Sequence, residues 1–108
     1  MTNFLLLYSG GRMPESEAEQ KAILKEWETW YGKVGKGVVD QGNPFLPKAK
    51  SITSSGKVSD SPVGSMASGY SIIKADSLDA ATTLASSCPV LKVGASISVY
   101  ETFKAMGM

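Results

Sequence analysis

Histidine is missing from all 108 residues, cysteine occurs once, at Cys88, and arginine once, at Arg12. The first absence removes His-dependent triads, imidazole acid–base catalysis and metal sites built on imidazole. A single cysteine excludes an intrachain disulfide and any multi-cysteine metal centre, and it agrees with a reducing compartment. Any chemistry is left to carboxylates, Tyr, Lys, Ser, Thr and one thiol. Cys88 falls on the apolar stripe of a predicted helix, which marks it as a buried, inert thiol rather than a nucleophile. Long apolar runs are also lacking. The longest strongly apolar one, Phe4 to Leu7, is too short for a membrane span or a signal-peptide core. A net charge of +1 gives no general attraction to nucleic acid or membrane. Together these absences predict a cytoplasmic protein with no nucleic-acid or membrane partner, no cofactor and no metal.

What is present reads as one soluble globular domain over residues 1–108, with 43% hydrophobic and 19% charged residues. The clearest stretch is Gly69 to Glu101. Tyr70 to Ala75 is aromatic and β-branched and follows a glycine, which predicts a strand over 69–75. Asp76 and Ser77 are alternative N-caps for a helix over 77–87, and Asp79 adds negative charge in its first turn. Leu78, Ala81, Leu84, Ala85 and Cys88 share one apolar stripe before Pro89 stops the helix. After the turn at Gly94, Ala95, Ile97 and Val99 alternate with Ser96, Ser98 and Tyr100, predicting a strand over 96–101.

Upstream, Phe4 to Tyr8 is apolar at consecutive positions, so a strand over 3–8 would bury side chains on both faces. Ser9-Gly10-Gly11 breaks it, and Glu15, Glu17 and Glu19 favour a helix start. That helix, over 15–34, places Ala18, Ala22, Ile23, Trp27, Trp30, Tyr31 and Val34 on one broad face. Gly32, Gly35 and Gly37 end it, and a short strand follows over 37–42. Lys50 to Ser59, folded about Ser55-Gly56, predicts a peripheral hairpin over 50–59. Gly32-Lys33-Val34-Gly35 has the GxxG form of an RNA-clamping loop, but a strand rather than a second helix follows it and no general basic surface supports that use.

The resulting order is βαββαβ with a hairpin insertion: an α+β, ferredoxin-like fold in which two helices cover one face of an antiparallel four-stranded sheet. The other face, apolar by the Phe4 to Tyr8 pattern, needs cover, and a homodimer joined sheet to sheet supplies it.

Gly42-Asn43-Pro44, Gly56-Lys57-Val58-Ser59-Asp60, the run from Gly69 to Ala81, Cys88-Pro89 and Ile97-Ser98-Val99-Tyr100-Glu101 resemble the YCII-related, or DGPF-type, family of small bacterial proteins. The resemblance spans Phe4 to Glu101. It implies a dimeric α+β barrel, and an activity suspected in YCII members to run through a histidine and an aspartate. The histidine is absent, and only Asp60 stands for the motif aspartate, with Ser61 and Val63 in place of the usual glycine and phenylalanine.

Three functions follow from the residues. The first is a small-molecule binding protein, or a weak metal-independent enzyme, with a pocket between sheet and helices. Its candidate groups are Tyr8, Arg12, Trp30 and Asp60. Arg12 would clamp a small anionic or carboxylate ligand, and Asp60 would act as the acid–base group. Each has an ordinary alternative: a solvated loop charge for Arg12 and Asp60, a packed aromatic for Tyr8 and Trp30. The second is a non-catalytic dimeric interaction or regulatory module. The third, RNA binding through the GKVG loop, is the least supported.

Overall fold

The computed structural model describes residues 1–104. Strand β1 (Thr2–Gly10) leads to helix α1 (Glu17–Val34). A 3₁₀ turn at Gly35–Gly37 then feeds the short strand β2 (Val38–Asp40). A hairpin of β3 (Ser51–Ile52) and β4 (Val58–Ser59) intervenes before the long strand β5 (Ala67–Ala75). Helix α2 (Leu78–Ala85), a 3₁₀ segment at Pro89–Val93 and strand β6 (Ala95–Glu101) complete the elements of the described residues. The main sheet has the order β2-β5-β1-β6 with every pair antiparallel, which is the ferredoxin-like arrangement expected from the element order.

Local chemistry sets the boundaries. Ser16 caps α1 by accepting from the Glu19 N–H at 3.1 Å, and Glu17 and Glu19 place negative charge in the first turn. Of the two candidate caps for α2 the fold uses Ser77, whose Oγ accepts from the Ala80 N–H at 3.0 Å. Pro89 opens the 3₁₀ segment, and Gly94 ends it in the left-handed region.

Along β1, Phe4, Leu6 and Tyr8 are buried beneath the helices, whereas Leu5 and Leu7 point to the opposite face. The core joins these three to Ile73 and Ala75 of β5, to Ala81, Ala85 and Cys88, and to Trp30 of α1. Trp30 also donates its indole N–H to the Leu84 carbonyl at 2.9 Å, tying α1 to α2. Three predicted core positions fail in detail. Ala18 and Ala22 are exposed, because α1 packs through the large rings of its C-terminal half and short alanine side chains cannot span the remaining gap. Leu78 is 44% exposed, since the first turn of α2 projects past the packed face held by Ala81 and Ala85.

On the helix-free face, the strand register aligns Ile72, Leu5 and Tyr100 in one row across β5, β1 and β6. Tyr70 and Leu7 adjoin them in the next row, and Phe45 stacks on Tyr70 with ring centroids 6.0 Å apart. The β3–β4 hairpin stands away from the main sheet. Its strands touch chiefly each other, and the radius of gyration, 15.4 Å, exceeds the roughly 13 Å of a compact chain of this length.

Candidate functional site

A cavity of about 420 Å³ opens between α1 and the sheet. Trp27 and Tyr31, one helical turn apart on α1, form its aromatic wall, with ring centroids 5.5 Å apart. Tyr8 of β1 supplies the floor, and its ring meets Trp27 edge-on at 6.0 Å. The third side is the loop Gln41–Pro44 running along β5. No charged side chain lines the cavity among the described residues.

That loop is pinned from several directions. Asp40 Oδ1 accepts from the Gly42 N–H at 2.8 Å, and its Oδ2 accepts from the Tyr70 hydroxyl at 2.9 Å. The Phe45 N–H donates to the Ser68 carbonyl at 2.9 Å. Gly42 has φ +76° and lies so close to β5 that a Cβ there would fall 1.7 Å from the Tyr70 carbonyl oxygen. Only glycine meets both conditions.

Behind the cavity runs a buried chain of hydroxyls. Tyr8 Oη donates to Ser71 Oγ at 2.8 Å, and Ser71 Oγ donates to the main-chain carbonyl of Gln41 at 2.8 Å. The Cys88 thiol lies 3.7 Å from Tyr8 Oη and donates to it weakly. Tyr31 Oη reaches the same Gln41 carbonyl at 3.4 Å. A carbonyl can only accept, so the direction of the chain is fixed from Tyr8 through Ser71 to Gln41. Burial pushes the Tyr8 phenol far above its ordinary range, and burial likewise raises Tyr31 and the Cys88 thiol. These groups are therefore neutral donors at physiological pH, not anionic nucleophiles.

The raised Tyr8 value carries a pH prediction. Its native-state pKa lies above the ordinary 10.0, so the native state holds a proton that the unfolded chain releases first. The associated stability is full below about pH 10 and is lost as pH rises further, at up to about 1.4 kcal/mol per pH unit for this one group. Urea unfolding from pH 8 to 11 is expected to show that decline in the wild type and a shallower one in Tyr8→Phe. Equal slopes would remove Tyr8 as the cause.

The structure distributes the four sequence candidates. Tyr8 is at the cavity. Trp30 is 3% exposed and packs behind the cavity wall, its ring against Trp27 and Tyr31, and it borders a separate groove edged by Lys25, Glu26, Lys33 and Lys92. Arg12 is exposed and ion-paired with Glu19 at the start of α1. Asp60 is exposed at the end of the hairpin, 3.1 Å from Lys50, and borders a separate shallow depression. Arg12 and Asp60 are thus brought neither to the Tyr8 cavity nor to one another's pocket. Trp27, Tyr31, Gln41 and Ser71 are the groups that sequence reasoning did not select. The signals that could have found them are the aromatic i, i+4 pair on α1 and the Gly42-Asn43-Pro44 turn.

Fold and site together define a ferredoxin-like α+β protein with an uncharged aromatic cavity beside the sheet. Among solved structures, the chain is similar to a 5-chloro-2-hydroxyhydroquinone dehydrochlorinase from Burkholderia phenoliruptrix AC1100, determined in complex with 2,5-dihydroxybenzoquinone. The two share 18% identity with a TM-score of 0.53, over 94% of this chain and 93% of that one. The likeness is one of fold. No family model matches the chain, and comparison with curated proteins finds no match. No helix among the described residues is long and apolar enough to cross a membrane.

Proposed function

We propose that the protein is a YCII-related homodimer that binds a planar, uncharged small molecule between α1 and the sheet. The observation that carries the ligand reading is the cavity itself: three aromatic rings, a pinned loop that presents main-chain groups, and no charged lining side chain. An anionic ligand would be desolvated there without a cation, since Arg12 is held elsewhere by Glu19. The solved structure of similar fold is bound to 2,5-dihydroxybenzoquinone, a planar ring but a vinylogous acid that is ionised at neutral pH, so the natural first probe for this uncharged cavity is a neutral ring of the same size, hydroquinone.

The dimer reading rests on the helix-free face. Leu5, Leu7, Tyr70, Ile72 and Tyr100 make it continuous and apolar, and a second copy of the same four-stranded sheet matches it in size and chemistry. Such a pairing buries on the order of 1,200 Å² or more in total. The projecting hairpin adds Ile52 and Val58, 70% and 56% exposed and paired in register, as an apolar arm for the second copy. A two-stranded hairpin is marginal by itself, which favours its having such a support.

Trp27 and Trp30 are the only tryptophans, so their fluorescence reports on the cavity. Binding of hydroquinone and of other neutral phenols should quench it and raise the melting temperature. Carboxylate and phosphate metabolites should do neither. Trp27→Ala should weaken binding by about tenfold or more, as expected for loss of an aromatic wall, whereas Arg12→Ala and Asp60→Asn should leave it unchanged. Stabilisation by anions that disappears in Arg12→Ala would replace this reading with an anion site. One observation favours a second reading, a dimeric module without catalysis: the titratable side chains that line the cavity, Tyr8, Tyr31 and Tyr70, and the Cys88 thiol behind it all have their pKa pushed upward and are neutral at physiological pH. No turnover of any bound probe would support it.

A further inference from the structure

Among the contacts around the cavity, the Tyr31–Gln41 hydrogen bond stands apart. Hydroxyl-to-oxygen bonds have an optimum near 2.7–2.8 Å, and the Ser71–Gln41 bond is 2.8 Å, whereas Tyr31 Oη stops at 3.4 Å. The Gln41 carbonyl has two lone pairs, of which Ser71 fills one well and Tyr31 fills the other poorly. Its orientation is nevertheless fixed. Ser71 is 1% exposed, its own oxygen accepts from Tyr8, and the adjoining Gly42 is held between Asp40 and β5. Hydroxyls linked in one direction also polarise each other, which strengthens the Ser71–Gln41 bond and with it the fixed orientation of the carbonyl. The site thus holds a rigid, under-used acceptor beside a phenol donor whose present partner is too far away. Both belong to residues that line the cavity, next to the stacking surface of Trp27.

We infer that Tyr31 and the Gln41 main-chain carbonyl are the specificity pair of the cavity, and that they select a planar ligand carrying a hydroxyl next to a carbonyl. This rests on the proposed ligand-binding role and narrows its substrate class. The ligand hydroxyl donates to Gln41, the ligand carbonyl accepts from Tyr31, and two good hydrogen bonds replace one long one. No bond is made or broken and no proton changes hands. A ligand with only a hydroxyl leaves Tyr31 on its long contact. One with only an acceptor leaves the second lone pair of Gln41 unfilled.

The test compares three small probes by tryptophan quenching at a pH that keeps each neutral: tropolone, which carries the adjacent pair, 2-methoxytropone, which lacks the hydroxyl, and phenol, which lacks the carbonyl. In the wild type, tropolone should bind about tenfold tighter than either of the others, the scale of one or two well-formed neutral hydrogen bonds. Tyr31→Phe, which keeps the ring and removes only the hydroxyl, should abolish the advantage of tropolone over phenol. Equal binding of tropolone and 2-methoxytropone, or a tropolone preference that survives Tyr31→Phe, would overturn the inference. The wild-type comparison decides even if the variant folds poorly. Failure of all three probes to bind would overturn the cavity reading and this inference with it, whereas binding without preference overturns only the specificity pair.

Discussion

Gly42→Ala is expected to destabilise the protein by about 3 kcal/mol or more, which for a domain of this size lowers the melting temperature by roughly 12–20 °C. The methyl group would fall 1.7 Å from the Tyr70 carbonyl oxygen, and the obstacle is backbone, so no side-chain rotation relieves the overlap. The left-handed φ of +76° adds a further penalty for any residue with a Cβ. Relief requires the loop to part from β5, and that movement drags Gln41 off the Ser71 hydroxyl and opens the cavity wall. Probe binding should therefore fall along with stability. Gly56→Ala is the matched control: it has a comparable φ of +88° but open space where the methyl would go. Its cost should be about 1 kcal/mol, with probe binding intact. Thermal melts of the two variants give the comparison, and a Gly42→Ala loss no larger than that of Gly56→Ala would mean that the loop is not pinned as described.

Leu5→Asp is expected to convert the proposed dimer into monomers, weakening association on the order of 10³-fold, the scale of about 4 kcal/mol for a charge stranded in an apolar interface. Leu5 lies on the central strand between Ile72 and Tyr100, at the middle of the helix-free face. In the monomer its side chain borders solvent, so an aspartate there remains hydrated and the fold should persist. In the dimer the carboxylate would be buried among apolar side chains, with Lys74 at the end of the same face as the nearest cation of its own sheet. Light scattering should report twice the chain mass of 11.4 kDa for the wild type and a single chain for Leu5→Asp, with unchanged circular dichroism. Replacing Ile52 and Val58 by serine removes only the apolar side of the hairpin arm and should weaken the dimer by about tenfold. A wild type that is monomeric at micromolar concentration would remove the assembly outright.

Element order was legible because strands and helices are written into neighbouring residues. Period-two alternation in 95–100, the apolar stripe from Ala81 to Cys88, and glycine or proline at the junctions act over a few residues, and the chain need not be folded for them to be read. The two-sided character of β1 was legible for the same reason: consecutive apolar residues in a strand must face both ways. Two details of packing were not. Leu78 and Ala22 sit on apolar stripes but outside the contact between helix and sheet, since periodicity gives a face and not how far along it the neighbour extends.

The cavity belongs to tertiary structure. Tyr8 and Ser71 are 63 residues apart in the chain and Tyr8 and Cys88 are 80 apart; strand register and the seating of Cys88 after α2 bring them together. A one-residue slip between β1 and β5 would send Ser71 to the other face and erase the chain of hydroxyls. Gln41 acts through a main-chain carbonyl, which every residue type possesses, so its identity carried no signal. Arg12 and Asp60 were chosen for their chemistry, but short-range ion pairs with Glu19 and Lys50 hold them at the surface. The sequence by itself determined the ferredoxin-like order of elements, the apolar character of both sheet faces and the exclusion of histidine chemistry, because each is a property of local pattern or composition. Which side chains meet across the sheet, and that they enclose an uncharged aromatic cavity, was decided only by tertiary structure, because register and helix placement are set by long-range packing.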